Sequence, residues 1–234
     1  MSTHFEIDQE LLARARQMLA GRTSLYWLVG GAGAGKTTVC QALATRYDIP
    51  VYDMDAHIYG SYHGRFDPAR HPVNTAWSTA PDGLAWLLSM TWAEFDAFNQ
   101  AALPEYLDLL GEDLAALPPD ARILIDGGIC NPGLLAQVLP TRQIICLAAP
   151  AQSSATIWDE PGERQGMKEA IDQLPQPDVM WRTFLDFDRR ITATMLHECQ
   201  EQGIAICRRD TSTPVAALVE RVASLWGIAF ASGA

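Results

Sequence analysis

The sequence predicts a three-layer α/β domain, with helices on both faces of a five-stranded parallel sheet. Two observations predict it. Short apolar runs of strand length alternate with longer segments whose apolar residues recur at helical spacing. The runs are also continuously apolar, as strands covered on both faces must be. The 234 residues suffice for one well-buried domain, and no internal repeat or low-complexity tract divides them.

Ile7–Ala20 has helical spacing and stops at Gly21, which predicts a leading helix packed beside the sheet. Leu25–Val29 is the first strand. It runs into Gly30-Gly31-Ala32-Gly33-Ala34-Gly35-Lys36-Thr37, which fits G-x-x-x-x-G-K-[ST], the phosphate-binding Walker A loop. Glycines let the backbone turn tightly and aim successive N–H groups at phosphate oxygens. Gly31 to Thr38 are therefore the expected nucleotide contacts: Gly31, Ala32, Gly33, Ala34, Gly35, Lys36, Thr37 and Thr38. Lys36 is expected on the β- and γ-phosphates and the Thr37 hydroxyl on Mg²⁺. Thr37–Tyr47 reads as a helix whose positive end faces the phosphates.

Asp48 to Asp53 leads into a second strand, ending in Asp53-Met54-Asp55. Carboxylates at a strand's carboxyl end lie where open α/β sheets bind ligands. One can orient the metal's water or take a proton from an attacking hydroxyl; one or both could instead cap the next helix. His57 is close enough to join them. Tyr59–His71 reads as a loop, with Arg65 and Arg70 able to receive an anionic group or to stay solvated.

Asn74–Leu117 is rich in aromatic and leucine residues, with helical spacing in Asp82–Met90, Trp92–Ala102 and Pro104–Leu117. It predicts a helical insertion, about 59–118, between the second and third strands. Its aromatics would form a small core of their own, with a few lining a pocket for an apolar or planar substrate. Arg122–Gly128 is the third strand. Its end, Asp126-Gly127-Gly128, fits a Walker B carboxylate holding Mg²⁺ through water, with glycines that let a substrate approach the backbone. Asn131-Pro132 starts a short helix and Arg142–Ala148 is the fourth strand.

The segment from about 150 to 176 reads as a mobile lid carrying Arg164 and Lys168. A basic residue on a closing segment can neutralise a transferring phosphoryl group, and Arg164 is the candidate. Asp178–Gln200 predicts a long helix, on which Arg182, Arg189 or Arg190 could face the phosphates. Gly203–Arg208 is the fifth strand. Arg209 to Pro214 could then pass over a nucleotide base, before a last helix, Val215–Trp226.

The net charge of −11 argues against a nucleic-acid backbone as partner. The five cysteines show no C-x-x-C spacing and read as reduced core residues. No signal peptide or membrane-spanning run is visible, which predicts a cytoplasmic protein without a membrane partner. A monomer or homodimer is expected.

The order of these parts resembles the shikimate kinase, gluconate kinase and nucleoside-monophosphate kinase branch of P-loop proteins. The shared features are GGAGAGKTT, Asp-x-Asp after the second strand, the helical insertion, the Asp-Gly-Gly strand end, an arginine-bearing lid and RDTSTP. The likeness covers most of the chain as architecture; only the phosphate loop is specific as sequence. It implies a P-loop NTPase fold, ATP and Mg²⁺ as cofactors, Asp53 serving the metal and Asp55 the acceptor hydroxyl. The substrate-contacting Gly-Gly-Gly of shikimate kinases matches here only as Asp126-Gly127-Gly128-Ile129, and Arg65 lies nearest to their substrate-binding arginine. The insertion is longer and more aromatic than a shikimate kinase needs.

The expected activity is transfer of the ATP γ-phosphoryl group to a hydroxyl or phosphate of a small molecule. Lys36, Asp55 and Arg164 are the catalytic candidates, and Thr37, Asp53 and Asp126 the metal candidates. A kinase acting on a nucleotide sugar is a close variant. The alternative is a nucleotide-dependent ATPase switch whose insertion binds a protein. No Asn-Lys-x-Asp is present to select guanine.

Overall fold

The computed structural model describes residues 5–150, 152–159, 165–210 and 212–228. The chain runs α1 (Gln9–Leu19), β1 (Leu25–Gly30), α2 (Lys36–Tyr47), β2 (Val51–Asp53) and a single helical turn α3 (Met54–Ala56). It continues through α4 (Pro72–Ser78), α5 (Gly83–Leu88), α6 (Trp92–Ala115), β3 (Ile123–Asp126), α7 (Pro132–Leu135) and β4 (Ile144–Ala148). Then come α8 (Ser154–Trp158), α9 (Gln165–Asp172), α10 (Pro177–Gln202), β5 (Ala205–Arg208) and α11 (Val215–Trp226).

All five strands are parallel, in the order β2-β3-β1-β4-β5. Side-chain alternation along β1 sends Leu25, Trp27 and Val29 to one face and Leu28 to the other. The first face packs on Leu12 of α1, Leu107 of α6, Leu135 of α7 and Met195 of α10. The second packs on Val39 of α2 and Leu218 of α11. Both faces are thus sealed by helices, which is why the strands carry so little polar sequence. Among the described residues no helix is long and apolar enough to cross a membrane.

Two expectations are corrected, on α6 and on the arginines after β2, and the segment from about 150 to 176 is described between them. Trp92–Ala102 and Pro104–Leu117 are one continuous helix, α6, with Pro104 inside it. Pro104 cannot donate to the preceding turn, yet Ala101, Ala102, Leu103 and Leu107 are all buried around it, and tertiary packing holds the helix through the lost bond. The start is fixed by a capping box between Thr91 and Glu94.

The segment from about 150 to 176, read as a mobile lid, contains α8 and α9 among its described residues. Ile157, Ile171 and Leu174 are buried, the last two in a small cluster with Leu88, Phe95 and Phe187. That cluster joins α9 to α5, α6 and α10. Arg164, the catalytic candidate in this segment, lies outside the described residues.

Arg65 and Arg70 do not await an anionic ligand. Arg65 pairs with Asp113 (2.7 Å) and Glu112 (3.4 Å), and Arg70 pairs with Asp108 and Glu112, all on α6. Asp108 is fully buried and also meets Arg14 (3.2 Å) and His71 (3.1 Å). Burial would raise its carboxyl, but the His71 bond and the Arg70 and Arg14 guanidinium groups hold it below the ordinary value. The two arginines are structural ties between the loop after β2 and α6.

Candidate active site

The glycine-rich turn between β1 and α2 forms the centre of the site. Gly30 has φ +151°, and a Cβ there would lie 2.4 Å from the Leu147 carbonyl oxygen of β4, so only glycine fits. Gly35 caps α2, and no side chain caps the helix's first turn. Its leading N–H groups are left to be met from outside the helix, as an anion would meet them. Lys36 Nζ donates to the carbonyl oxygens of Gly30 (2.9 Å) and Gly31 (3.3 Å), so the ammonium lies over the loop.

Three other elements brace this turn. Arg209, at the end of β5, donates from Nη2 to the Gly33 carbonyl at 2.7 Å and to Gln152 Oε1 at 3.3 Å. A Cβ on Gly31 would meet Thr192 Oγ1 of α10 at 2.3 Å. One on Gly33 would meet Ile157 of α8 at 3.0 Å. The loop is therefore held from outside by α8, α10 and the residue following β5.

The carboxylates gather at the same end of the sheet. Asp53 and Asp126 are Cα partners in the β2–β3 ladder. Asp53 is exposed, and its Oδ1 accepts from Ala56 N at 2.9 Å, so it caps the turn α3 while standing beside Asp126. Asp126 is 4% exposed, and its Oδ1 has no hydrogen-bond partner among the described residues. Burial pushes its carboxyl above the ordinary value; the Thr37 hydroxyl and the Lys36 ammonium oppose the rise, and Asp53 adds to it. An unpartnered buried oxygen beside a threonine hydroxyl suits a hydrated hard cation. No group of three or more His, Cys, Asp or Glu among the described residues could hold a metal alone. Mg²⁺ beside phosphates needs only one or two carboxylates, so the residues present fit it.

Asp55 and Lys36 converge at Gly127. A Cβ on that glycine, which has φ +68°, would lie 2.5 Å from Asp55 Oδ2 and 3.3 Å from Lys36 Cε. The Trp27 indole donates to the Gly127 carbonyl at 2.9 Å, anchoring the turn to β1. Protein crowding around Asp55 raises its carboxyl, with Lys36 pulling it down and Asp126 and Asp53 pushing it up. The Gly128 backbone N–H pulls the Asp55 carboxyl down slightly. It is still solvent-exposed, through the mouth of a cleft.

Two cavities flank the glycine-rich turn. One, about 210 Å³, holds Lys36, Asp55 and Gly128 at one end and Asn99, Leu103 and Tyr106 of α6 in its wall. The other, about 440 Å³, lies between Ala32, the end of β4, Ser153 at the cap of α8, Ile157 of α8, and Arg189 and Thr192 of α10.

The other candidates are placed as follows. Thr37 and Thr38 are exposed on the first turn of α2. His57 stacks on Tyr52 at 4.0 Å and bonds Ser61 at 2.8 Å, outside the lining of either cavity. Lys168 stands over the Trp181 ring at 5.9 Å. Arg189 and Arg190 both pair with Asp186 at 2.7 Å, and of these only Arg189 lines a cavity. Beyond Arg209, residues 210 and 212–213 are tied together by the Asp210 carboxylate, while Thr211 lies outside the described residues.

Tyr106 is one of the insertion's aromatics that line a pocket, whereas sequence reasoning missed Asn99 and Leu103, although their spacing of four and three along α6 places all three on one face. It also missed Thr192, whose contact with Gly31 joins positions far apart in the chain. No family model matches this chain, and no curated protein matches it.

Proposed function

We propose that the chain is a P-loop phosphotransferase, with a helical insertion between β2 and β3, that moves the ATP γ-phosphoryl group to a small-molecule acceptor. One observation carries this reading: Lys36 and Asp55 meet against Gly127 in a single cavity beside the uncapped start of α2. The loop N–H groups and Lys36 bind the β- and γ-phosphates, and Thr37 and Asp126 would hold Mg²⁺. When bound, that ion neutralises charge on the phosphates.

Asp55 orients an acceptor hydroxyl held in the 210 Å³ cavity. The acceptor oxygen bonds to Pγ as the bond from Pγ to the bridging oxygen breaks. ADP leaves with that electron pair, and the acceptor proton passes to the Asp55 carboxylate. Positioning and charge stabilisation account for most of the rate in such a transfer. The elevated carboxyl of Asp55 suits a group that takes up a proton.

The test follows the γ-phosphate of labelled ATP with Mg²⁺ and a pooled metabolite extract. Label should enter an organic product made by wild type and absent with Lys36→Ala. Label released only as inorganic phosphate, at a rate indifferent to the extract, would instead identify an ATPase switch.

A further inference from the structure

The acceptor cleft is lined by Ile58, Leu103, Ile129, Ile191 and Met195, with the rings of Tyr59 and Tyr106 beside them. Among the described residues that line it, Lys36 and Asp55 alone carry charge. Lys36 donates to the loop carbonyls of Gly30 and Gly31. Among the described residues, four arginines of the surrounding elements are committed elsewhere. Arg65 and Arg70 are paired with the acidic residues of α6. Arg190 pairs with Asp186 and covers the Trp92 ring, and Arg189 faces the other cavity.

The remaining polar groups bring no charge to the cavity. Asn99 donates one amide N–H to the Phe95 carbonyl at 2.9 Å, which leaves its oxygen and a second N–H for a ligand. That oxygen recognises a donor. Burial pushes the Cys130 thiol up to about 12, which keeps it neutral. A carboxylate or phosphate placed here would lose water and stand beside Asp55, with Lys36, already bonded to the loop carbonyls, as the one cation among the described lining residues.

From the lining we infer that the acceptor is an uncharged small molecule with an apolar, planar body and a free hydroxyl, in place of a carboxylate or a phosphate ester. Size agrees: about 210 Å³ is below the roughly 300–1,000 Å³ usual for drug-sized ligands. The hydroxyl sits at the Asp55 end, the body lies between Tyr59, Leu103 and Tyr106, and a second donor on the ligand meets Asn99. This inference rests on the phosphotransferase reading for its reactive end; the preference for an uncharged body follows from the walls alone.

Matched ligands test it on the full chain with Mg²⁺ and a non-hydrolysable ATP analogue. The probes are 2-phenylethanol, phenylacetate and phenyl phosphate, with binding followed by ligand-observed NMR. The alcohol should bind roughly tenfold or more tightly than either anion. Asn99→Lys, at a half-buried position, should abolish or reverse that preference; Ile191→Arg serves the same purpose should the first variant fail to fold. An anion binding as well as the alcohol in wild type would overturn the inference, as would millimolar alcohol showing no binding. Binding of the analogue is read from its ³¹P signals in the same samples. Alcohol preference without analogue binding would remove the phosphotransferase reading and leave the pocket preference standing. Analogue binding with an anion preference would do the reverse.

Discussion

Asp53 and Asp126 stand side by side as the last paired residues of the parallel β2–β3 ladder. Their bonding differs. Asp53 gives an oxygen to the Ala56 N–H, whereas Asp126 keeps a buried oxygen without a partner. Asp126→Asn should therefore raise the Mg²⁺ concentration needed for activity by about tenfold or more. Asp53→Asn should do far less, because asparagine caps a helical turn as well as aspartate does. Activity titrated against Mg²⁺ for both variants separates the two roles. An equal effect of both would mean that Asp53 is a metal partner on the same footing.

Gly127→Ala should cost activity well beyond its cost in stability. Alanine is strained at φ +68°, by about 1–2 kcal/mol, and its methyl would displace Asp55 Oδ2 from a point 2.5 Å away. Thermal melts and turnover measured on the same preparation check this. A variant that keeps full turnover would show that Asp55 need not lie against the turn.

Asp108→Asn should destabilise the fold at neutral pH by about 1.5 kcal/mol, the low end for hydrogen bonds to charged groups because Arg14 is 48% exposed and screened. Sign follows from the depressed carboxyl. Its stabilisation is fully present above the ordinary value of 3.8 and is lost as pH falls through the lower folded value. Urea midpoints of wild type and variant should differ at pH 7 and converge in strong acid. A constant difference across that range would assign the effect to packing.

Gly31→Ala should destabilise by about 1–3 kcal/mol through overpacking against Thr192, whose Oγ1 would lie 2.3 Å from the new methyl. Thr192→Ala removes that oxygen. The double variant should therefore recover part of the loss, and the pair should be non-additive. Additive losses would mean that α10 shifts freely over the loop.

The strand, glycine-rich turn and helix spanning Leu25–Tyr47 were legible because the information is local: an apolar run, a fixed glycine spacing and a helical period within a few turns. The same locality explains the five strands. Arg65 and Arg70 misled because their partners, Asp108, Glu112 and Asp113, lie on α6 across a sequence gap that no spacing rule bridges. Pro104 misled in another way, since its local signal to end a helix was outweighed by burial on both sides. At the site, Lys36, Asp55 and Asp126 each stood at a strand or loop end and could be named. The contacts of Thr192, Ile157 and Arg209 with the turn depend on tertiary packing and left no mark in sequence.

The turn from Gly30 to Lys36 is proposed to hold a triphosphate. Calorimetric titration of Mg²⁺ and a non-hydrolysable ATP analogue into the full chain, wild type against Lys36→Ala, tests it most directly. The expected result is saturable one-to-one binding that weakens roughly tenfold or more in the variant, the loss of charge-assisted bonds to phosphate. Wild-type binding unchanged by the substitution, or no binding at all, would contradict the account.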